Sequence, residues 1–306
     1  MVMHTEYIES DIAEQLKLPR RERIKIVNSE HWIGYSRAQL GVSKLEELIN
    51  CPRRVRMPNM LILSPTNNGK TMLVKSFMRR YPSTEKQDSN GYYIQKEMPV
   101  LYLQMPSSPD LKRFYTLIFH SLNLRTPPVS RIAEIETHAL TLIANLKVRM
   151  LIIDELHNIL AGRADSQREF LNLLRFLGNE LQVPIVALGT KDAYLAIRSD
   201  DQLENRFEPF ILPCWQYDRE YLSLLASFSK VFPIKTPVDL TRPKLAKKIL
   251  EMSDGKIGEI STIIKKAIIW CIPYAGNDNE ISEVTFDVID YKSPSERRKQ
   301  IERELH

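Results

Sequence analysis

Residues 60–71 read Met60-Leu-Ile-Leu-Ser64-Pro-Thr-Asn-Asn-Gly-Lys-Thr71, an apolar run that passes directly into a loop ending Gly-Lys-Thr, with a helical pattern from Met72 onward. An unbroken apolar run of this length reads as a strand covered on both faces. Strand, loop and helix together make a Walker A loop, with Ser64 where the first glycine of the motif usually stands. Gly69 lets backbone N–H groups approach phosphate closely, Lys70 reaches the β- and γ-phosphates, and the Thr71 hydroxyl ligates Mg2+ at the positive end of the helix. A positive φ at the first turn position costs a serine about 1 kcal/mol, so Ser64 weakens the motif without breaking it.

Similar runs recur along the chain: Val100-Leu-Tyr-Leu-Gln104, Met150-Leu-Ile-Ile-Asp154, Pro184-Ile-Val-Ala-Leu-Gly189 and Pro209-Phe-Ile-Leu212. Between them lie helical stripes. In one, Leu111, Phe114, Tyr115, Ile118, Phe119 and Leu122 recur at i, i+3, i+4 behind a capping Asp110. Strands alternating with helices predict an α/β fold with a parallel sheet and a ligand at the strands' C-terminal ends. The segment Tyr81–Gly91 reads as a surface loop. After Pro213 convincing strands stop, and patterns over 219–231, 242–252 and 256–272 predict helices. The expected division is an N-terminal extension (1–28), a nucleotide-binding α/β domain (29–213), a smaller helical domain (214–292) and a charged tail (293–306). The extension carries Lys17, Arg20, Arg21, Arg23 and Lys25, which read either as a solvated helix face or as a partner- or DNA-binding arm lying outside the core. The tail reads as free chain or as a short exposed helix.

Two further stations suit the chemistry of a nucleoside triphosphate. The strand ending in Asp154-Glu155 delivers carboxylates to the sheet edge: Asp154 to hold Mg2+ through water, Glu155 to orient and polarise an attacking water. A second acid beside the magnesium aspartate marks a hydrolytic NTPase rather than a small-molecule kinase. The next strand ends at Thr190-Lys191, where a polar side chain senses the γ-phosphate between the two motifs. Arg206, ahead of the fifth strand, suits a finger reaching a neighbouring subunit's nucleotide. Arg198 and Arg175 compete less well for that role.

Composition excludes several classes. Hydrophobic residues at 43% and charged residues at 26% rule out disorder and collagen-like structure. A net charge of +5 permits a nucleic-acid partner without demanding one. Cys51, Cys214 and Cys271 are too scattered for a disulfide framework or a CxxC metal pattern, which suggests a reducing cytosol. No apolar run approaches the ~18 residues of a membrane span, and no secretory signal opens the chain, so a soluble intracellular protein with no membrane partner is expected.

The combination of His31-Trp-Ile-Gly-Tyr35, Arg53-Arg-Val-Arg-Met-Pro-Asn59, Thr66-Asn-Asn-Gly-Lys-Thr-Met72, Ile153-Asp-Glu-Leu-His-Asn-Ile-Leu-Ala-Gly162 and Leu188-Gly-Thr190 resembles TniB. TniB and the related TnsC proteins are AAA+ ATPase regulators of bacterial DNA transposition, some of them in CRISPR-associated transposons. The resemblance runs over roughly residues 29–290. It implies an AAA+ P-loop fold, a five-stranded parallel sheet sandwiched by helices, with a C-terminal helical lid. It further implies a cytoplasmic, nucleoid-associated homo-oligomer, ring or filament, that ATP and Mg2+ assemble around double-stranded DNA. Such an assembly links a TniQ-type targeting protein to a DDE transposase. The resemblance assigns nucleotide binding to Ser64, Pro65, Thr66, Asn67, Asn68, Gly69, Lys70, Thr71 and Met72, the metal to Thr71 and Asp154, catalysis to Glu155, sensor 1 to Thr190 and the finger to Arg206. Ile33, within Trp32-Ile-Gly34, closes over adenine, and Lys256 stands in for the sensor 2 arginine in Asp254-Gly-Lys-Ile-Gly-Glu-Ile260.

By the same resemblance, DNA contacts fall to Ser107, Ser108, Lys112 and Arg113 and then to Arg125, Thr126 and Arg131, tracking phosphates without reading bases. Lys112 and Arg113 read equally as the polar face of an amphipathic helix. Two other functions stay open: a nucleotide-gated scaffold that scarcely hydrolyses, suggested by Ser64 and the missing arginine, and a replication initiator or loader.

Overall fold

The apolar runs become the central strands of a parallel sheet. The structure, a computed structural model, describes residues 12, 14–87, 93–128, 131–234, 239–273 and 279–305. Its strands are β1 (Asn59–Leu63), β2 (Thr84–Gln87), β3 (Tyr93–Glu97), β4 (Val100–Gln104), β5 (Met150–Asp154), β6 (Ile185–Gly189) and β7 (Phe207–Ile211). Its helices are α1 (Arg20–Asn28), α2 (Ser36–Ile49), α3 (Lys70–Met78), α4 (Leu111–Ser121), α5 (Ile132–Asn145), α6 (Ala164–Leu181), α7 (Lys191–Arg198), α8 (Asp201–Glu204), α9 (Arg219–Phe228), α10 (Pro243–Ser253), α11 (Ile257–Cys271), α12 (Glu283–Val288) and α13 (Pro294–Glu304). Contacts divide the chain into Arg37–Pro213 and a second unit formed by Met1–Ser36 with Cys214–His306.

In the first unit five strands pair in the order β4-β5-β6-β1-β7, and every pairing is parallel. The central strands β5 and β6 are buried along their whole length, as both-face coverage by helices requires. At the edge, β7 is buried only at Phe207 and Phe210 and tolerates Pro209. The core gathers Leu61, Leu101, Ile118 and Leu177 around Phe114 and Phe170, whose rings meet edge-on with centroids 5.3 Å apart. The register positions the chemistry. Gln104 pairs with Asp154 and Leu63 with Gly189, so the loop after β1, the acids ending β5 and Thr190 after β6 emerge together on one edge. As expected, Asp110 caps α4, accepting from the Arg113 amide at 2.8 Å.

The segment expected to be a surface loop is instead partly an antiparallel hairpin of β2 and β3. Its strands carry charge where a buried strand carries apolar residues, which hid them from a hydrophobic reading. Glu85 lies directly opposite Lys96, their charges 3.9 Å apart. Lys86 and Lys147 both bond Glu97, at 2.8 Å and 2.6 Å. Main-chain pairing and cross-strand charge between these residues hold the element together.

The second unit is helical. Tyr221, Leu225, Ile249, Ile264, Ala267 and Phe286 form its core together with Val27 and Ile33. The expectation that residues 1–28 lie outside the core is therefore corrected for their described part. Val27 of α1 is fully buried. One turn away the buried Arg23 guanidinium donates to the Pro233 carbonyl at 3.1 Å and 2.8 Å, and Arg20 donates to the carbonyl of Ile272 at 2.9 Å. Part of the basic cluster thus satisfies carbonyls of the helical unit. The charged tail forms an exposed helix, α13, opened by a Ser293–Glu296 capping box. No helix among the described residues is long and apolar enough to cross a membrane.

Candidate active site

The loop from β1 to α3 begins at Ser64, whose amide donates to Gly189 O at 3.1 Å. The left-handed positions of this loop are Asn67, at φ 60°, and Gly69, at φ 90°. Ser64 is not among the positive-φ residues, so the strain expected there is absent, and the residue that carries it is an asparagine, which tolerates that region. The buried Asn68 amide ties the loop to the end of the edge strand, donating to Leu212 O at 3.0 Å and Pro213 O at 2.9 Å. Pro65, Thr66 and Asn67 remain exposed, while Thr71 and Met72 are half-buried in the first turn of α3. The helix start offers N–H groups and the positive end of the helix dipole to an anion.

Lys70 is buried, and its ammonium donates to the loop carbonyls of Ser64 and Pro65 at 2.9 Å and 3.1 Å. Burial pushes its pKa down, against the pull of the Glu155 and Asp154 charges. Asp154 is 3% exposed and accepts three hydrogen bonds: from Thr71 Oγ1 at 3.0 Å, from the Tyr102 hydroxyl at 2.7 Å and from the Glu155 amide at 2.8 Å. Burial, and then the bond to Asp154, raise the Tyr102 pKa far above the ordinary phenol. Tyr102 therefore serves as a donor that orients the carboxylate.

Glu155 turns the chain sharply, at φ 57° and ψ 37°, and its carboxylate lies 3.1 Å from His157 Nε2. Two buried polar side-chain atoms among the described residues have no hydrogen-bond partner, and both lie here: His157 Nδ1 and Thr190 Oγ1. Thr190 caps α7, yet its hydroxyl makes no capping bond. A buried hydroxyl left unpaired costs about 1–3 kcal/mol, and an oxygen of a bound phosphate or its attacking water would satisfy it. Gly189 makes room for this arrangement, since a Cβ there would stand 2.4 Å from Ala193 Cβ and 3.6 Å from His157 Nδ1.

Ammonium, hydroxyls and carboxylates thus meet on one edge as a triphosphate with Mg2+ requires. Hard oxygen donors from Thr71 and Asp154 suit that cation, with remaining positions left to phosphate and water. Tyr102 and His157 are the functional candidates that sequence reasoning missed. Tyr102 sits within an apolar-looking run, and His157 lies inside a quoted motif without a role.

The other expected residues lie elsewhere. Arg206 precedes β7, and its carbonyl accepts from the Asn59 amide at 2.9 Å, so it stands on the opposite edge of the sheet, about 17 Å from the loop by strand rise. Its guanidinium donates to Asn179 at 2.9 Å, whereas Arg175 is paired with Asp200 at 3.4 Å. Ser107, Ser108, Lys112 and Arg113 are exposed after β4 and in the first turn of α4. Arg125 and Arg131 are exposed and Thr126 half-buried past its other end. The length of α4, about 16 Å, separates the two groups. Ile33 and Lys256 belong to the second unit, Ile33 in its core and Lys256 at the N-cap of α11.

A family model described as Bacterial TniB protein matches residues 23–217. No curated protein matches the chain. Among solved structures the chain is similar to the Aeropyrum pernix ORC2 protein in ADPNP-ADP complexes, with a TM-score of 0.58 and 15% identity over 86% of this chain and 69% of that one. It is also similar to Drosophila ORC bound to DNA (0.56, 14%, 89% and 64%) and to AMPPCP-bound DnaA from Aquifex aeolicus (0.51, 16%, 89% and 68%). At these identities the likeness concerns the fold, which is that of an AAA+ P-loop protein with additional C-terminal helices.

Proposed function

The chain belongs to the TniB family, and from that premise we propose that it is an ATP-hydrolysing regulator of DNA transposition that assembles on duplex DNA. The observation that carries the reading is the convergence of Lys70, Thr71, Asp154, Glu155 and the unpartnered Thr190 hydroxyl on one sheet edge. When ATP enters, Lys70 exchanges the Ser64 and Pro65 carbonyls for β- and γ-phosphate oxygens, and the loop amides bind the remaining charge. Thr71 and Asp154 would hold Mg2+, which when bound would neutralise charge on the phosphates. Tyr102 keeps Asp154 in place. Glu155 orients a water in line with the γ-phosphorus and draws on its proton as the oxygen attacks, while the Thr190 hydroxyl donates to the γ-phosphoryl group.

Arg206 stands too far from its own copy's loop to join this step. It acts on the triphosphate of an adjoining copy, so ATP seals the joint and hydrolysis loosens it. Such a head-to-tail joint repeats into a ring or filament. The exposed groups at the two ends of α4 (Ser107, Ser108, Lys112 and Arg113; Arg125, Thr126 and Arg131) face duplex phosphates at each repeat, which makes binding sequence-independent and sensitive to salt. The assembly connects a TniQ-type targeting protein to a DDE transposase in the bacterial cytoplasm.

Steady-state ATPase assays with and without duplex DNA test the reading. Turnover that rises with DNA supports it. Tight ATP binding with no turnover under either condition would favour a nucleotide-gated scaffold, a reading that the relaxed backbone at Ser64 does nothing to encourage.

A further inference from the structure

At the edge of the sheet away from the Walker A loop, the chain leading into β1 and the turn leading into β7 run side by side, joined by the Asn59–Arg206 main-chain bond of 2.9 Å. Between them lies a pocket of about 430 Å³ lined by Arg54, Arg56, Met57, Gln202, Asn205 and Arg206. Its floor is fixed. Met57 is 4% exposed and its sulfur accepts from the Arg54 amide at 3.2 Å, while Leu203, at 1%, anchors the facing turn. Three arginines line this concavity and no carboxylate does. Among the described residues no acidic side chain pairs with Arg54, Arg56 or Arg206.

We propose that Arg54 and Arg56 join Arg206 in a pocket that grips the phosphate groups of a nucleotide held by a second copy of this chain. The inference rests on the reading that ATP lies between adjoining copies, and it adds two residues to that joint. Three like charges without a counter-charge repel one another until an anion arrives, and guanidinium forks match phosphate oxygens two at a time. The amides of Gln202 and Asn205 add neutral donors. The shape selects the occupant: a duplex backbone needs an open track, whereas a concavity lined by three arginines fits a compact polyanion. The same copy's phosphates are excluded by the ~17 Å length of β1. Val55, between the two arginines, is 80% exposed, an apolar residue suited to the centre of a contact between copies.

The test uses the full chain carrying Arg54→Ala and Arg56→Ala together; both side chains are exposed, so folding is not at stake. A fluorescent ATP analogue should bind the dilute, unassembled variant within about twofold of wild type, while ATP-dependent assembly on duplex DNA should need about tenfold more protein. Mixing this variant with Lys70→Ala, at a protein concentration at which wild type assembles but neither variant does alone, should recover about a quarter of wild-type ATPase. In a random head-to-tail mixture that fraction of joints combines an intact loop with an intact arginine pocket.

No recovery on mixing would overturn the proposal. So would assembly and turnover of the double variant at wild-type level while Arg206→Ala fails, an outcome that leaves the parent reading standing. A loss of nucleotide-free DNA binding in the double variant, with unchanged ATP-dependent assembly, would assign the pocket to DNA instead and also overturn it. Wild-type assembly indifferent to ATP would remove the parent reading itself.

Discussion

His157 Nε2 stands 3.1 Å from a carboxylate oxygen of Glu155, and the other ring nitrogen is buried without a partner. The imidazole thus holds the proposed water-orienting acid, leaving one of its own polar atoms unsatisfied to do so. A group kept in such a position fits a role in placing Glu155, which the left-handed turn at that residue has already brought out from the strand.

Glu155→Gln keeps the shape of the side chain and removes its basicity. It should bind ATP with near-wild-type affinity, lose turnover by about a hundredfold or more, and leave assemblies on DNA that do not dissociate. Steady-state ATPase and the lifetime of DNA-bound assemblies give the comparison; wild-type turnover would show that another group positions the water.

His157→Ala should lower kcat by about tenfold with little change in KM for ATP, because the loss concerns placement of Glu155 and not substrate binding. His157→Gln, whose amide reaches toward the same carboxylate, should restore part of the rate. An equal fall in both variants, accompanied by a lower Tm, would point to packing instead.

Tyr102→Phe deletes one of three donors to the buried Asp154. Thr71 and the Glu155 amide still serve the carboxylate, so the cost should be about 1 kcal/mol, roughly 2–4 °C in Tm for a unit of this size. A weaker response to Mg2+ should accompany it. Thermal melts at graded Mg2+ concentration read both effects.

The hairpin should respond to acid. Bonds from Lys147 and then Lys86 pull the Glu97 carboxyl from 4.5 to about 2. A folded-state value below the unfolded one means that the stabilisation is complete above pH 4.5 and disappears as pH falls toward 2. The stability gap between wild type and Glu97→Gln should therefore be open at pH 6 and close on acidification. It should also shrink with added salt, since the Glu97 side chain still reaches solvent, 24% exposed. A gap that widens in acid would contradict this assignment.

Much of the nucleotide edge was legible because its signals are local. Ile62 and Ile153 sit in runs apolar enough to be central strands, and Asp154 ends its strand, Thr190 follows its strand directly and Lys70 closes the loop after β1. The unread parts depend on partners distant in sequence. Tyr102 reads as one more apolar strand residue until β5 is laid beside it. Val27 sits in a helix dominated by Arg20, Arg21, Arg23 and Lys25, and the core that buries it comes from about two hundred positions and more away. Lys86 and Glu97 form strands through main-chain pairing and charge, without the alternation that marks a half-buried strand. Arg54 and Arg56 acquire meaning only when β1 and β7 bring Arg206 next to them.

The central claim is that a triphosphate held by Lys70 joins adjoining copies around DNA. Assembly of the Lys70→Ala chain on duplex DNA, followed by sedimentation or direct imaging with and without ATP and Mg2+, tests it most directly. The account predicts that wild type assembles only with nucleotide and that Lys70→Ala fails at ATP concentrations that saturate wild type. Equal assembly of both chains in nucleotide-free buffer would contradict it.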